Sequence, residues 1–525
     1  MRLPLSRLRA ARLWGLALMV ASVATLTGCA SLPPPPSQPE TRALANPAST
    51  PLGQLVQRVA PAGGRSGFRN LIAGDEALDA RLALADNAQK TLDLQYYIVT
   101  QDTSTLEVLD RVRAAAVRGV RVRLLLDDLN TSGADATLDA LIREPNVEVR
   151  LYNPFPNGRG STITRVLTSL TDIPRINRRM HNKLFIADNA LGITGGRNLG
   201  NAYFVQSAAS NFVDLDLLVA GRAVRALSAS FDVYWNNPLA YPARMFIPAQ
   251  TPEAIADARR IVVPATTTVA PAAEQVVPPR ALLSDDLRAG RLPLVWAPSR
   301  VLADNPSKLE HDEDPAPDET LVDDMEKMLR GATRNVTLIS PYFVPGKRGT
   351  AVLRTLRDRG VTVKILTNSL AANDAPLVHI GYVVYRSELL RMGVQLSELK
   401  PSVGDTSVRL GSFGSSTSRL HAKALVVDGR LALIGSMNFD PRSDKLNSEI
   451  GVLVDSPSIA QQVVDLYDAI AQQAAYALSL DERGHVRWTD PAAAGGPPLG
   501  AEPGSKLWMR LSMKLLSPLA PEEML

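Results

Sequence analysis

A single cysteine, Cys29, stands in 525 residues, so no disulfide framework holds this protein together. Histidine is nearly as scarce, with five in the chain. Past the first thirty residues no long apolar run occurs, which leaves no second candidate for membrane insertion. Excess positive charge is missing as well. The formal net charge of +4 comes from Arg2, Arg7, Arg9 and Arg12; without them 53 basic residues face 53 acidic ones. A body with no net positive charge lacks the electrostatic footprint of a nucleic-acid binder.

What is present is the composition of a folded soluble protein, 45% hydrophobic and 21% charged. The length past the leader is more than one hydrophobic core usually serves, so two domains are expected. The leader itself has basic residues, then an apolar run from Leu13 to Leu26, then Leu26-Thr27-Gly28-Cys29. This is the three-part pattern of a signal peptide, and its apolar run is shorter than the roughly 20 residues of a membrane span. Its ending resembles a bacterial lipobox, in which Cys29 is lipidated and becomes the first residue. The competing reading is an ordinary cleaved signal, or a short anchor, with an incidental cysteine. Ala30 and Ser31 are not acidic, which points a lipoprotein of this kind to the outer membrane, facing the periplasm.

Composition divides the rest. Residues 29–65 are rich in Pro, Ala and Ser and read as an extended tether; residues 251–290 read as a linker. Between and beyond them lie two domains, 66–250 and 291–480, and a tail, 481–525. In the tail, Lys506 to Ser517 can form an amphipathic helix, suited to a lipid boundary or to docking on the body. The acidic patch Glu310 to Glu319, with His311, reads as a solvated loop.

The two domains repeat one another. Arg118-Gly119-Val120 recurs as Arg359-Gly360-Val361, 241 residues on, and His181 recurs as His421, 240 residues on. A constant offset across separate motifs argues for duplication of a whole domain. Each half alternates strands with helices, such as the one marked by Leu106, Leu109, Val112 and Ala116, ended by Gly119. That alternation predicts an α/β sandwich in each half.

The chemistry sits in the repeated string. His181-Asn-Lys183-Leu-Phe-Ile-Ala-Asp188 is followed by Gly195-Gly-Arg-Asn198; His421-Ala-Lys423-Ala-Leu-Val-Val-Asp428 is followed by Gly435-Ser-Met-Asn438. Lys and Asp at both offsets would arise by chance about once in 400 histidines. Residues two apart in a strand share a face, so His and Lys point the same way. Two such strands together place two imidazoles and two ammonium groups around one point, an arrangement that suits a phosphodiester. Lys183, Lys423, Asn198 and Asn438 would stabilise the nonbridging oxygens. One histidine would attack phosphorus and the other would act as acid and base, with no metal or cofactor needed. Each histidine needs its second ring nitrogen fixed, and Asp214 and Glu449, at the starts of strand-like runs, are the expected orienting acids, with Asp216 as a substitute. Asp188 and Asp428 end their strands before a turn and read as mainly structural.

These strings are the duplicated signature of the phospholipase D superfamily, which the chain resembles over roughly residues 66 to 480. The wider context, including Leu92-Asp-Leu-Gln-Tyr-Tyr-Ile98, Asn177-Arg-Arg-Met-His181 and the terminal Pro521-Glu-Glu-Met-Leu525, looks like bacterial cardiolipin synthases of the C-type. The resemblance implies two phospholipase D-like α/β domains forming one shared active site, so that a monomer suffices. It implies transfer of a phosphatidyl group through a phosphohistidine, with His181 the nucleophile and phosphatidylglycerol, or phosphatidylethanolamine, among the lipid partners. It also makes His379 a substrate-channel candidate, against a structural histidine at a helix start. Water as acceptor would make the enzyme a phospholipase D releasing phosphatidic acid. The superfamily also contains nucleases, which the charge balance and the leader disfavour. A noncatalytic scaffold is disfavoured because both motifs are complete.

Overall fold

A computed structural model describes residues 32–169, 172–207, 210–260, 281–310, 320–401, 417–493, 495–506 and 510. The leader with Cys29, the acidic patch from His311 to Glu319 and nearly all of the expected tail helix lie outside the described residues.

Each half is built on a nine-stranded sheet. In the first, Val147–Tyr152, Arg121–Asn130 and Thr91–Ile98 run parallel; Leu184–Ala187, Leu191–Gly195 and Asp216–Ala220 continue antiparallel. The second repeats this order with Gln395–Leu399, Thr362–Asn368, Asn335–Ile339, Ala424–Val427, Leu431–Gly435 and Ile450–Asp455. The duplication read from the constant offset is thus a duplication of topology.

Local chemistry explains the elements. The helix Thr103–Val117 starts where the Asp102 carboxylate accepts from the Thr105 N–H, and it ends at Gly119, whose φ of 94° suits a residue without Cβ. Gly360 does the same at φ 79° after the helix Gly346–Asp358. The motif strands Leu184–Ala187 and Ala424–Val427 are buried along their whole length. Polar side chains there would be left without partners, so the runs are apolar.

The two sheets share a core. Leu217 and Val219 of the first half and Val426, Ile434, Val452 and Val454 of the second belong to one buried cluster. It also takes in the helices Arg222–Trp235 and Pro457–Gln473. Separate outer cores lie under the remaining helices of each half. Burying one face of each sheet against the other fixes the halves relative to one another, and so fixes any site between them.

Three boundaries differ from the sequence reading. The expected tether is packed for much of its length: Leu52, Leu55 and Val56 of the helix Pro51–Val59 are buried in the first core, and the Asp232 carboxylate accepts from the Ala43 N–H at 2.9 Å. Its Pro/Ala content obscures a short amphipathic turn. The linker region carries the helices Pro252–Ala258 and Leu283–Arg288, with Asp286 3.1 Å from Arg69. Val295–Ala297 joins the first sheet and Ser299–Ala303 the second, so the halves meet at Pro298. The second sheet also extends past residue 480, through Val486–Thr489. Such edge strands are too short to carry a periodic signal.

Candidate active site

Two short parallel strand pairs, each made between the halves, set the histidines. Arg179–Met180 pairs with Asn447–Ser448, and the His181 N–H donates to the Ser448 carbonyl at 3.0 Å. Thr417–Leu420 pairs with Ser210–Val213, and the His421 N–H donates to the Val213 carbonyl at 2.8 Å. Asp127 anchors the approach to His181, accepting from Arg179 Nε and from the Met180 N–H, both at 2.9 Å.

The register of these pairs puts each histidine beside the acid of the opposite half. His181 Nδ1 lies 3.0 Å from both carboxylate oxygens of Glu449, and His421 Nδ1 lies 2.6 Å from Asp214 Oδ2. The carboxylates fix the proton on Nδ1 and leave Nε2 as the nitrogen with a lone pair. Both acids expected from the sequence therefore meet histidines, and the pairing crosses between domains. Asp216 does not substitute: its carboxylate is taken by Arg81 at 2.9 Å and by the Arg197 N–H at 3.1 Å.

The acids are themselves held. Ser436 Oγ and Ser443 Oγ donate to Glu449, at 2.5 and 2.8 Å. Asp214 Oδ1 accepts from the Leu215 N–H at 2.8 Å. The residue matching Ser436 in the first half is Gly196, where a Cβ would lie 2.0 Å from Asp214 Oδ1. A serine hydroxyl supports one acid; the absence of any side chain admits the other.

Lys183 Nζ donates to the His181 carbonyl at 2.6 Å, and Lys423 Nζ donates to the His421 carbonyl. Both lysines are buried. Burial lowers Lys183 to about 7, opposed by Glu449 and reinforced by the positive charge of Lys423. Burial likewise lowers Lys423 to about 8, against the pull of Asp214 and Glu449. His181 is lowered to about 4, chiefly by burial; Glu449 opposes the shift and Lys183 adds to it. His421 is lowered by burial and by Lys423, and Asp214 opposes that. Burial alone would raise Asp214, but the His421 and Lys423 charges bring it down to about 2. Charges of one half thus act on titrating groups of the other, as they must in a single site. Tyr97 meets the His181 ring edge-on at 4.9 Å; Tyr203 and Phe212 flank His421 at 5.2 and 5.0 Å.

The other expected residues divide. Asn198 is engaged within its own half, its oxygen accepting from the Ile98 N–H at 3.0 Å and its amide donating to Tyr203 at 3.1 Å. The Asn438 N–H donates to Ser443 Oγ at 3.2 Å, while its side-chain oxygen has no partner. Asp188 and Asp428 are not brought to the histidines. Asp188 accepts from the N–H groups of Gln89, Lys90 and Thr91, and Asp428 from those of Thr333, Arg334 and Asn335, at the far ends of the motif strands. They close turns, in keeping with the mainly structural reading, and do not belong with the catalytic residues of the motif. His379 is buried within the helix Pro376–Arg391, with Nε2 3.6 Å from Glu502. Sequence reasoning gave no role to Tyr203, Phe212, Ser436 and Ser443. Tyr203 and Ser443 both fall 22 residues after a motif histidine, the one signal that marks that pair.

Comparison with known proteins agrees with this geometry. The family model described as "Cardiolipin synthase, PLD-like domain" matches residues 82–235 and 325–470. Cardiolipin synthase C of Escherichia coli is 39% identical over 469 residues, 88% of this chain and 97% of that protein. Cardiolipin synthase A of Pseudomonas putida is 26% identical over 79% of this chain and 70% of its own length. The crystal structure of phosphatidylserine synthase from Haemophilus influenzae aligns with a TM-score of 0.57 at 15% identity, covering 90% of this chain and all of that one, which shows a common fold.

Proposed function

Since the chain belongs to the cardiolipin synthase family of phospholipase D-like proteins, we propose that it is a phosphatidyltransferase that passes a phosphatidyl group between alcohols by way of a histidine. The observation that carries this reading is the reciprocal pairing of His181 with Glu449 and His421 with Asp214. Each carboxylate holds one ring nitrogen and leaves the other to react.

His181 Nε2 attacks phosphorus, the bond to the departing alcohol breaks, and that alcohol takes its proton from His421. In the second step His421 removes the proton of the incoming hydroxyl, whose oxygen attacks phosphorus and releases His181. One phosphodiester becomes another, so no nucleotide is consumed. Lys183 and Lys423 offset the charge on the nonbridging oxygens, and Asn438 is placed to contact them. Burial and the two lysines work against a proton on either imidazole. An arriving phosphodiester anion supplies the negative charge that lets His421 hold a proton.

The acceptor proposed is the headgroup hydroxyl of phosphatidylglycerol, giving cardiolipin. The protein would be anchored by lipid at Cys29 and face the periplasm from the outer membrane. Among the described residues no helix is long and apolar enough to cross a membrane. Purified protein with labelled phosphatidylglycerol is the test. Labelled cardiolipin supports the reading; labelled phosphatidic acid makes water the acceptor, and no lipid product at all rejects it.

A further inference from the structure

The two halves are not equivalent at one point beside the site. In the first half Tyr203 fills the space next to Asn198 and bonds to it. Its counterpart is Ser443, whose small side chain is committed to Glu449 and to the Asn438 N–H. Val108, packed in the first core, has Gly349 as its counterpart, with the Phe439 ring packed against it. The second half carries a cleft of about 410 Å³ beside Asn438. That volume falls within the range of small-molecule sites.

The cleft lies between the helix Leu321–Arg330, the start of the helix Gly346–Asp358 and the segment from Asn438 through the short helix Pro441–Lys445. One wall is apolar, made by Val322, Met325, Leu329, Val344, Val352 and Phe439; the acids Glu326, Asp440 and Asp444 also line the cleft. Its polar end is Asn438, 4% exposed, whose side-chain oxygen is unpartnered. A separate void of about 20 Å³, the size of one water, shares Met325 and Phe439 with the cleft and has Lys423 in its lining. Lys347 and Lys445 stand among the cleft residues, as does Arg348, which is offset by Asp323 and Glu326.

We infer that this cleft holds one acyl chain of the phospholipid whose phosphodiester lies at Lys423. The inference rests on the phosphatidyltransferase reading. An apolar wall that starts at Asn438, in the same motif as Lys423, matches an amphiphile with its anionic group at one end and hydrocarbon at the other. A water-soluble phosphodiester would gain nothing from that wall.

The test compares dioleoyl- and dihexanoyl-phosphatidylglycerol in detergent micelles with wild type and Val322→Trp, a half-buried wall position away from the histidines. Filling the cleft is expected to raise KM for the long-chain lipid about tenfold, the equivalent of about two methylene groups returned to water, with the short-chain KM nearly unchanged. Equal effects on both lipids, or none on either, overturn the inference. Wild-type protein is also to be labelled with a phosphatidylglycerol carrying a photoreactive group at the acyl terminus. Adducts on Val322 to Leu329 or on Phe439 support the cleft even if no transfer product forms, which would reject only the enzymatic reading. Adducts elsewhere overturn it.

Discussion

Glu449, from the second half of the chain, lies 3.0 Å from the ring of His181 in the first. Neither half therefore owns a complete catalytic histidine. Replacing Glu449 with Gln keeps the size and removes the charge that fixes the imidazole. Turnover is expected to fall about 10²- to 10⁴-fold with the thermal midpoint little changed. Steady-state rates beside a melting curve check this.

The buried cations set a pH dependence whose sign can be worked out. With neutral His181 as the proposed nucleophile, kcat/KM is expected to fall as pH drops through about 4, where that ring takes up a proton. On the other side the working forms are protonated. Rate falls as His421, lowered by burial, and then Lys183 and Lys423, at about 7 and 8, give up their protons. Bound substrate adds negative charge and raises all three. The optimum of kcat is therefore expected at higher pH than that of kcat/KM. Separate profiles of the two constants test it; coincident optima would contradict it.

Asp188 belongs to the motif but serves the fold. Asp188→Ala strips the acceptor from three N–H groups, and its cost is expected in stability, about 2–4 kcal/mol, with kcat per folded molecule unchanged. Denaturant titration paired with activity at low temperature separates the two.

Gly196 makes room for Asp214, so Gly196→Ala should push the carboxylate off His421. A rate loss of at least about tenfold is expected, with substrate binding preserved. Kinetics at saturating substrate measure it.

Much of this site is legible in the sequence because a strand has a period of two. His181 and Lys183, or His421 and Lys423, declare a shared face before any fold is known. Asp214 and Glu449 are legible as acids that open strands. Which acid serves which histidine is not, because the choice depends on the short strand pairs Arg179–Met180 with Asn447–Ser448 and Thr417–Leu420 with Ser210–Val213. Contacts between segments more than 200 residues apart leave no local pattern. Tyr203 and Ser443 escaped for another reason: they occupy matching positions with unlike side chains, and the difference has meaning only once the space around each is visible. The helix Pro51–Val59 was hidden by the Pro/Ala composition around it, although Leu52, Leu55 and Val56 have helical spacing.

Cys29→Ala addresses the anchor alone. The variant is expected in the soluble envelope fraction with its activity on short-chain lipid intact, and wild type in the membrane fraction. Equal partition of both would remove the lipid anchor from the account.

The most direct test of the shared site is to trap the intermediate. His421→Ala, given a phosphatidyl ester whose leaving group needs no protonation, should complete attack and then stall. Mass spectrometry of the alkaline-quenched digest should find one phosphatidyl adduct, on the peptide bearing His181. Steady turnover without an adduct, or an adduct on any other residue, would contradict the account.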